Sequence, residues 1–211
     1  MQIELAGTLI ELLFQRAIYL PQSSILIIGD LHLGKAMHFR KAGIFMPVES
    51  ASKDYEILHS LILQLQPKEV YFLGDLFHSQ HNSEWQQFSN FIKSYAYIAF
   101  TLIKGNHDIL KKHFYEALHI TVINKQLAID NLIFSHEPLI EPPSDKINIA
   151  GHVHPGCAVR GPARQYLRLP CFYLKSNTFL LPAFGHLTGL HILDQKDATV
   201  FAILPNEVVL L

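Results

Sequence analysis

The sequence predicts an α/β fold with one largely parallel sheet and a second, more antiparallel one. Three observations carry this. Apolar runs of strand length, rich in Ile, Val and Phe, each stop at a polar, glycine-containing signal. Stretches with helical spacing separate the early runs, the arrangement of βαβ units and of a sheet covered on both faces. After Arg168 the strand-like runs follow one another with no helical pattern between them.

In chain order, the first 28 residues predict a hairpin joined to the core, and SILIIGD (24–30) a buried strand. The spacing predicts helices over 50–65, 83–95 and 108–118, which alternate with strands EVYFLGD (69–75) and YIAFTLIKGN (97–106). Further strands are expected in LAIDNLIFSH (127–136), INIAGH (147–152), CFYLKSNTFLLPAF, GLHILD and ATVFAILP. At 211 residues without a linker, the chain is expected to be one domain spanning 1–211.

Composition removes several functions. No run of eighteen apolar residues and no basic, apolar leader is present, so a soluble, cytoplasmic protein without a membrane partner is expected. Cys157 and Cys171 fit neither a disulfide framework nor a CxxC metal site and read as two buried thiols. A net charge of -1 gives no general pull on DNA, so an anionic substrate must be held locally. The outlier is 13 histidines.

Those histidines gather where strands end. Ligands in open α/β sheets bind at the carboxyl ends of strands, and here the ends read GDLH (29–32), GDLFH (74–78), GNHD (105–108), SHEP (135–138) and GHVHP (151–155). A core has no use for Asp, Asn and His at five successive strand ends. Asp30 and His32 are two apart, as are His152 and His154. In extended backbone such pairs point to one side about 6–7 Å apart, which suits two metal ions bridged by a carboxylate, His152 and His154 facing one cavity but different ions.

The ordered set DLH, GDLFH, GNHD, HEP, GHVH resembles the calcineurin-like metallophosphoesterase superfamily over positions 30–154. The resemblance implies an α/β/β/α sandwich, two mixed sheets flanked by helices. It implies one metal held by Asp30, His32, Asp75 and His154, and another held by Asp75 as bridge with Asn106, His136 and His152. Mixed O and N ligands suit Mn²⁺, Fe or Zn²⁺ better than Mg²⁺, and the family implies Mn²⁺. His78 stands where protein phosphatases of the superfamily carry an Asp, and GDLFH is similar to SbcD-type nucleases. The stretch 30–47, the LPCF at 169–172 and the PAFGHLTG at 182–189 resemble the bacterial ligase-associated DNA damage response endonucleases, the PdeM group. Two positions depart from that group: Ile109 follows GNHD where a basic residue is expected, and Leu190 follows Gly189 in place of a second glycine.

A DNA endonuclease or phosphodiesterase acting through a hydroxide bridging two metals is therefore expected, with DNA as substrate and DNA-repair proteins as partners. His107, beside Asn106, is placed as the general acid and His78 as a contact to phosphate or leaving group. Lys35 and Arg40 are expected to bind substrate, and Arg160, Arg164 and Arg168 could rim the site, although a solvated loop surface explains the basic residues equally well. Asp108 reads as an N-cap, Glu137 as solvent-facing or as an orienter of His136, and the unmatched His186 as ordinary. GDLHLGKA is one residue short of a P-loop, but Asp30 would repel phosphate there and GNHD, HEP and GHVH would be left over. The rivals are a small-molecule phosphodiesterase or phosphomonoesterase, and a non-catalytic interaction scaffold, which retention of His107 and all seven ligands disfavours.

Overall fold

A computed structural model describes residues 1–35, 49–77, 83–161 and 166–211. Seven strands in chain order form the first sheet: β1 (Gln2–Leu5), β2 (Thr8–Leu13), β3 (Ala17–Leu20), β4 (Ile25–Gly29), β5 (Glu69–Leu73), β6 (Ala99–Ile103) and β7 (Ile120–Ile123). The strands from β1 to β4 pair antiparallel, and those from β4 to β7 pair parallel. The N-terminal hairpin expected from the sequence is thus a three-stranded meander running into β4.

The second sheet has nine strands, running β14-β11-β12-β13-β10-β9-β8 with β15 and β16 attached beside β12. They are β8 (Gln126–Ile129), β9 (Leu132–Ser135), β10 (Ile147–Ala150), β11 (Pro155–Arg160), β12 (Tyr166–Lys175), β13 (Thr178–Leu180), β14 (His191–Ile192), β15 (Thr199–Ile203) and β16 (Val208–Leu210). Only β9, β10 and β13, and β11 with β14, pair parallel. The run read as one strand over 127–136 is two, folded back at Asp130, which takes a left-handed φ of 50°. Strands β7, β11 and β16 had no counterpart in the reading of the sequence.

Among the described residues, three helices connect the strands of the first sheet: α1 (Glu49–Leu65), α2 (Ser83–Ser94) and α3 (Lys112–Glu116). Buried positions recur at helical spacing, Leu58, Leu61 and Ile62 on α1 and Trp85, Phe88 and Ile92 on α2. The third helix is only five residues, because 108–111 belong to a loop. No described helix is long and apolar enough to cross a membrane.

Alternation within continuous apolar runs divides the core into layers. Leu26, Ile28, Val70, Phe72, Phe100 and Leu102 face the helices. Ile25, Ile27, Tyr71, Leu73 and Ile103 face the other way and meet Leu132, Phe134, Ile149, Phe172 and Phe179 of the second sheet. A third cluster around Cys157, Cys171 and Tyr173 lies on the second sheet, away from the described helices. Both cysteines are buried free thiols.

Phe179 is fully buried between the sheets and stacks on Phe172 with centroids 5.9 Å apart. Phe179→Ala is expected to cost about 3–5 kcal/mol in urea unfolding. A loss under about 1 kcal/mol would mean that the sheets are not packed as described.

Candidate metal centre

Strands β4, β5, β6, β9 and β10 deliver their following loops to one rim. Backbone bonds stitch that rim together: Asp30 N–H donates to Gly74 O (3.3 Å), His32 N–H to Asp75 O (2.8 Å) and Gly151 N–H to His136 O (3.0 Å). The last of these ties the two β9 and β10 loops of the second sheet to each other.

The backbone turns sharply where the chemistry sits. Asp30, His32, Asp75, His152 and His154 all adopt positive φ, between 48° and 66°. Asp and His tolerate this region better than most residues, yet it is strained and clusters at functional sites. The extended-backbone argument for the i, i+2 pairs does not hold. Both members of each pair are left-handed, and the residue between them, Leu31 or Val153, packs into an apolar cluster.

The side chains fall into two groups, Asp30 with His32 and His154, and Asp75 with His136 and His152. In the first, His154 Nε2 lies 3.3 Å from Asp30 Oδ1 and 3.4 Å from His32 Nε2. In the second, His136 Nε2 lies 3.0 Å from Asn106 Oδ1, 3.0 Å from His152 Nδ1 and 3.5 Å from Asp75 Oδ1. The other oxygen of Asp75 is 3.8 Å from His32 Nε2, so this carboxylate spans both groups.

The donor set fits divalent cations. Asp30, Asp75 and His136 are buried, and Asp30 Oδ1 accepts no hydrogen bond. His136 Nδ1 donates to Leu73 O at 3.0 Å, which leaves Nε2 as a lone pair aimed at Asn106 Oδ1 and Asp75 Oδ1. With Nε2 as a lone pair, it converges with Asn106 Oδ1 and Asp75 Oδ1 on a space that a divalent cation would suit. Backbone amides aim both carboxylates: His152 N–H donates to Asp30 Oδ2 (2.8 Å), and His107 N–H to Asp75 Oδ1 (2.9 Å). Gly74, at φ 72°, leaves space that the His136 ring fills and that a Cβ would occupy.

Of the other residues singled out, His107 is exposed, with its ring centroid 6.0 Å from that of His32. Lys35 is half-buried. Burial lowers its pKa, and attraction to Asp30 and Asp75 partly offsets the shift, so its ammonium lies within their field. His78, Arg40 and Arg164 lie outside the described residues. Glu137 is exposed. Arg160 and Arg168 sit on the β11–β12 ribbon.

Three supporting side chains were misread or missed. Asp108 is no N-cap, since α3 starts at Lys112; instead its Oδ1 accepts from Leu76 N–H (2.9 Å) and Phe77 N–H (3.2 Å), and its Oδ2 from Gly105 N–H (2.8 Å). It clamps the loop of Asn106 and His107 to that of Asp75. Burial pushes its pKa up to about 6, with Asp75 adding to the rise and the three amides opposing it. Asn148, a polar residue inside the apolar run INIA, donates to Ile133 O (3.1 Å) and Ser135 Oγ (2.9 Å) and accepts from Leu139 N–H (2.8 Å), framing His136. His186 is not ordinary: its Nδ1 donates to buried Asp54 at 2.6 Å, and neighbouring Gly185 N–H donates to Asp30 O at 3.2 Å. Nothing in the sequence pairs Asp54 with a residue so distant.

A two-sheet sandwich with paired Asp/His groups at its strand ends defines a metal-dependent phosphoesterase. Residues 23–172 match the calcineurin-like phosphoesterase family, and the chain belongs to it. Among solved structures it is similar to the Pseudomonas putida nuclease MPE, with 27% identity, 100% of this chain and 99% of that one covered, and a TM-score of 0.85. The YfcE phosphoesterase from E. coli aligns at 15% identity over 88% of this chain and 96% of that one, with a TM-score of 0.47. No curated protein matches significantly.

Asp108→Ala strands up to three amide donors, two of them on buried residues, and is expected to destabilise the protein by about 2–4 kcal/mol in thermal or urea unfolding. A change below about 0.5 kcal/mol would remove the clamp from this account.

Proposed function

We propose that the chain is a manganese-dependent nuclease that hydrolyses phosphodiester bonds in DNA, residues 1–211 acting as one domain. The observation that carries the reading is the arrangement of six Asp and His side chains in two groups linked by Asp75, with Asn106 against His136 as the seventh, drawn from five strand ends. The likeness to a protein described as a nuclease supports the phosphodiester as substrate. DNA-repair proteins are the partners this reading expects. It places the protein in the cytoplasm, where the free thiols of Cys157 and Cys171 stay reduced.

In this mechanism Asp30, His32 and His154 would hold one divalent cation and Asn106, His136 and His152 the other, with Asp75 placed between the two groups as a ligand available to both. When bound, such a pair neutralises phosphate charge and acidifies water near neutral pH. The protein's part is orientation and proton transfer. Amides of His107 and His152 fix the two carboxylates, and the Leu73 carbonyl fixes the His136 tautomer. The exposed His107 imidazole gives its proton to the departing alkoxide oxygen. Lys35 offers positive charge to the phosphate from the side of His32, with Arg40 and His78 assigned supporting contacts.

Metal-stripped protein reconstituted with Mn²⁺ is expected to cleave single-stranded DNA and a nitrophenyl bis-ester in preference to the mono-ester. Preference for the mono-ester would replace the nuclease with a phosphomonoesterase, and inactivity on all three would favour a scaffold.

His107→Ala separates acid from ligand. DNA, whose alkoxide leaving group needs a proton, should lose about 10²–10⁴ in kcat, and the nitrophenyl ester, whose phenolate leaves unprotonated, far less. Equal losses on both would rule out the acid role.

A further inference from the structure

The strand β11 begins at Pro155, directly after His154, and pairs antiparallel with β12 so that Ala158 faces Arg168 and Arg160 faces Tyr166. Directly opposed residues share a face, as do residues two apart. One face of this ribbon therefore carries Arg160, Tyr166 and Arg168 together. The other carries Cys157, Val159 and Leu169, which pack into the cluster on the second sheet.

The first face has the chemistry of a nucleic-acid contact. Tyr166 is 54% exposed, and the Arg168 guanidinium lies 5.9 Å from its ring centroid. Arg160 and Arg168 are exposed, and none of the ribbon residues 155–161 and 166–170 is acidic. In a chain of net charge -1 this is a local concentration of positive charge. Counted along extended strand, the Ala158–Arg168 pair lies about 13 Å from His154, and the Arg160–Tyr166 pair about 20 Å. The ribbon thus leads from a proposed metal ligand outward, as a strand bound at the site would.

We infer that the β11–β12 ribbon binds single-stranded nucleic acid flanking the cleaved bond, with Tyr166 stacking on a base and Arg160 and Arg168 holding phosphates. The inference rests on the nuclease reading and deepens it. An aromatic face serves an unpaired base and has nothing to stack on in a closed duplex, so the arm selects single strands. Stacking is indifferent to which base is present, so the selection is for strandedness and not for sequence.

The test uses the manganese-loaded enzyme and its Tyr166→Ala, Tyr166→Phe and Arg160→Ala/Arg168→Ala variants. Each is assayed on a labelled oligo-dT, on the same strand in duplex, and on the nitrophenyl bis-ester. Tyr166→Ala is expected to lower the ratio of oligo-dT to bis-ester kcat/KM about tenfold, and Tyr166→Phe to restore it. The double arginine variant should flatten the dependence of log kcat/KM on log salt by about 1.4, two single-strand contacts at about 0.7 each. The inference is overturned by an unchanged ratio in Tyr166→Ala, by failure of phenylalanine to rescue, by an equal loss on duplex, or by a parallel loss on the bis-ester. A wild-type enzyme inactive on both bis-ester and oligo-dT overturns the nuclease reading itself, and the inference with it.

Discussion

Two aspartates, Asp30 and Asp75, are taken out of water among imidazole nitrogens, and the rest of the structure is organised around that fact. A buried carboxylate is costly unless it is paired. Here each receives a backbone amide, His152 N–H for Asp30 and His107 N–H for Asp75, which aims it without balancing its charge. The remaining neighbours are histidine nitrogens and an asparagine oxygen. Divalent cations between the acceptors would balance that charge, which is the electrostatic argument for the proposed dinuclear site.

Holding those groups in place explains several otherwise separate features. Two sheets are needed because the proposed ligands come from both, β4, β5 and β6 on one side and β9 and β10 on the other. Left-handed backbone occurs at five of the seven positions; it leaves Asp30 and His32 in one group and His152 and His154 in different ones. That strain is sustained by ties formed elsewhere: the Asp108 clamp, the Asn148 bracket around His136, and the His186–Asp54 pair behind the loop that contacts Asp30. Removing any of them leaves the ligand chemistry intact and loosens its geometry, which is the harder property to recover.

Much of this was legible in the sequence, for identifiable reasons. The strands of the βαβ part announce themselves as buried apolar runs, and their polar ends stand out because a core excludes Asp and His. The β8–β9 fold-back was hidden because Asp130 and Asn131 sit inside a run that reads as continuous. Helix α3 was overestimated because Asp108 has the right chemistry for a cap and is used for a clamp instead. The sequence pairs Asp30/His32 and His152/His154 were visible, but not the left-handed backbone at all four positions, since φ there is set by tertiary structure and not by spacing. Asp54 and His186 are 132 residues apart, a separation at which composition and spacing carry no signal.

The central claim, that Asp75 joins two cations, is tested most directly by manganese titration followed with electron paramagnetic resonance. The account predicts two ions per chain with a spin-coupled signal, and loss of the coupling in Asp75→Asn. A single ion per chain, or two ions that remain uncoupled in the native protein, would contradict it.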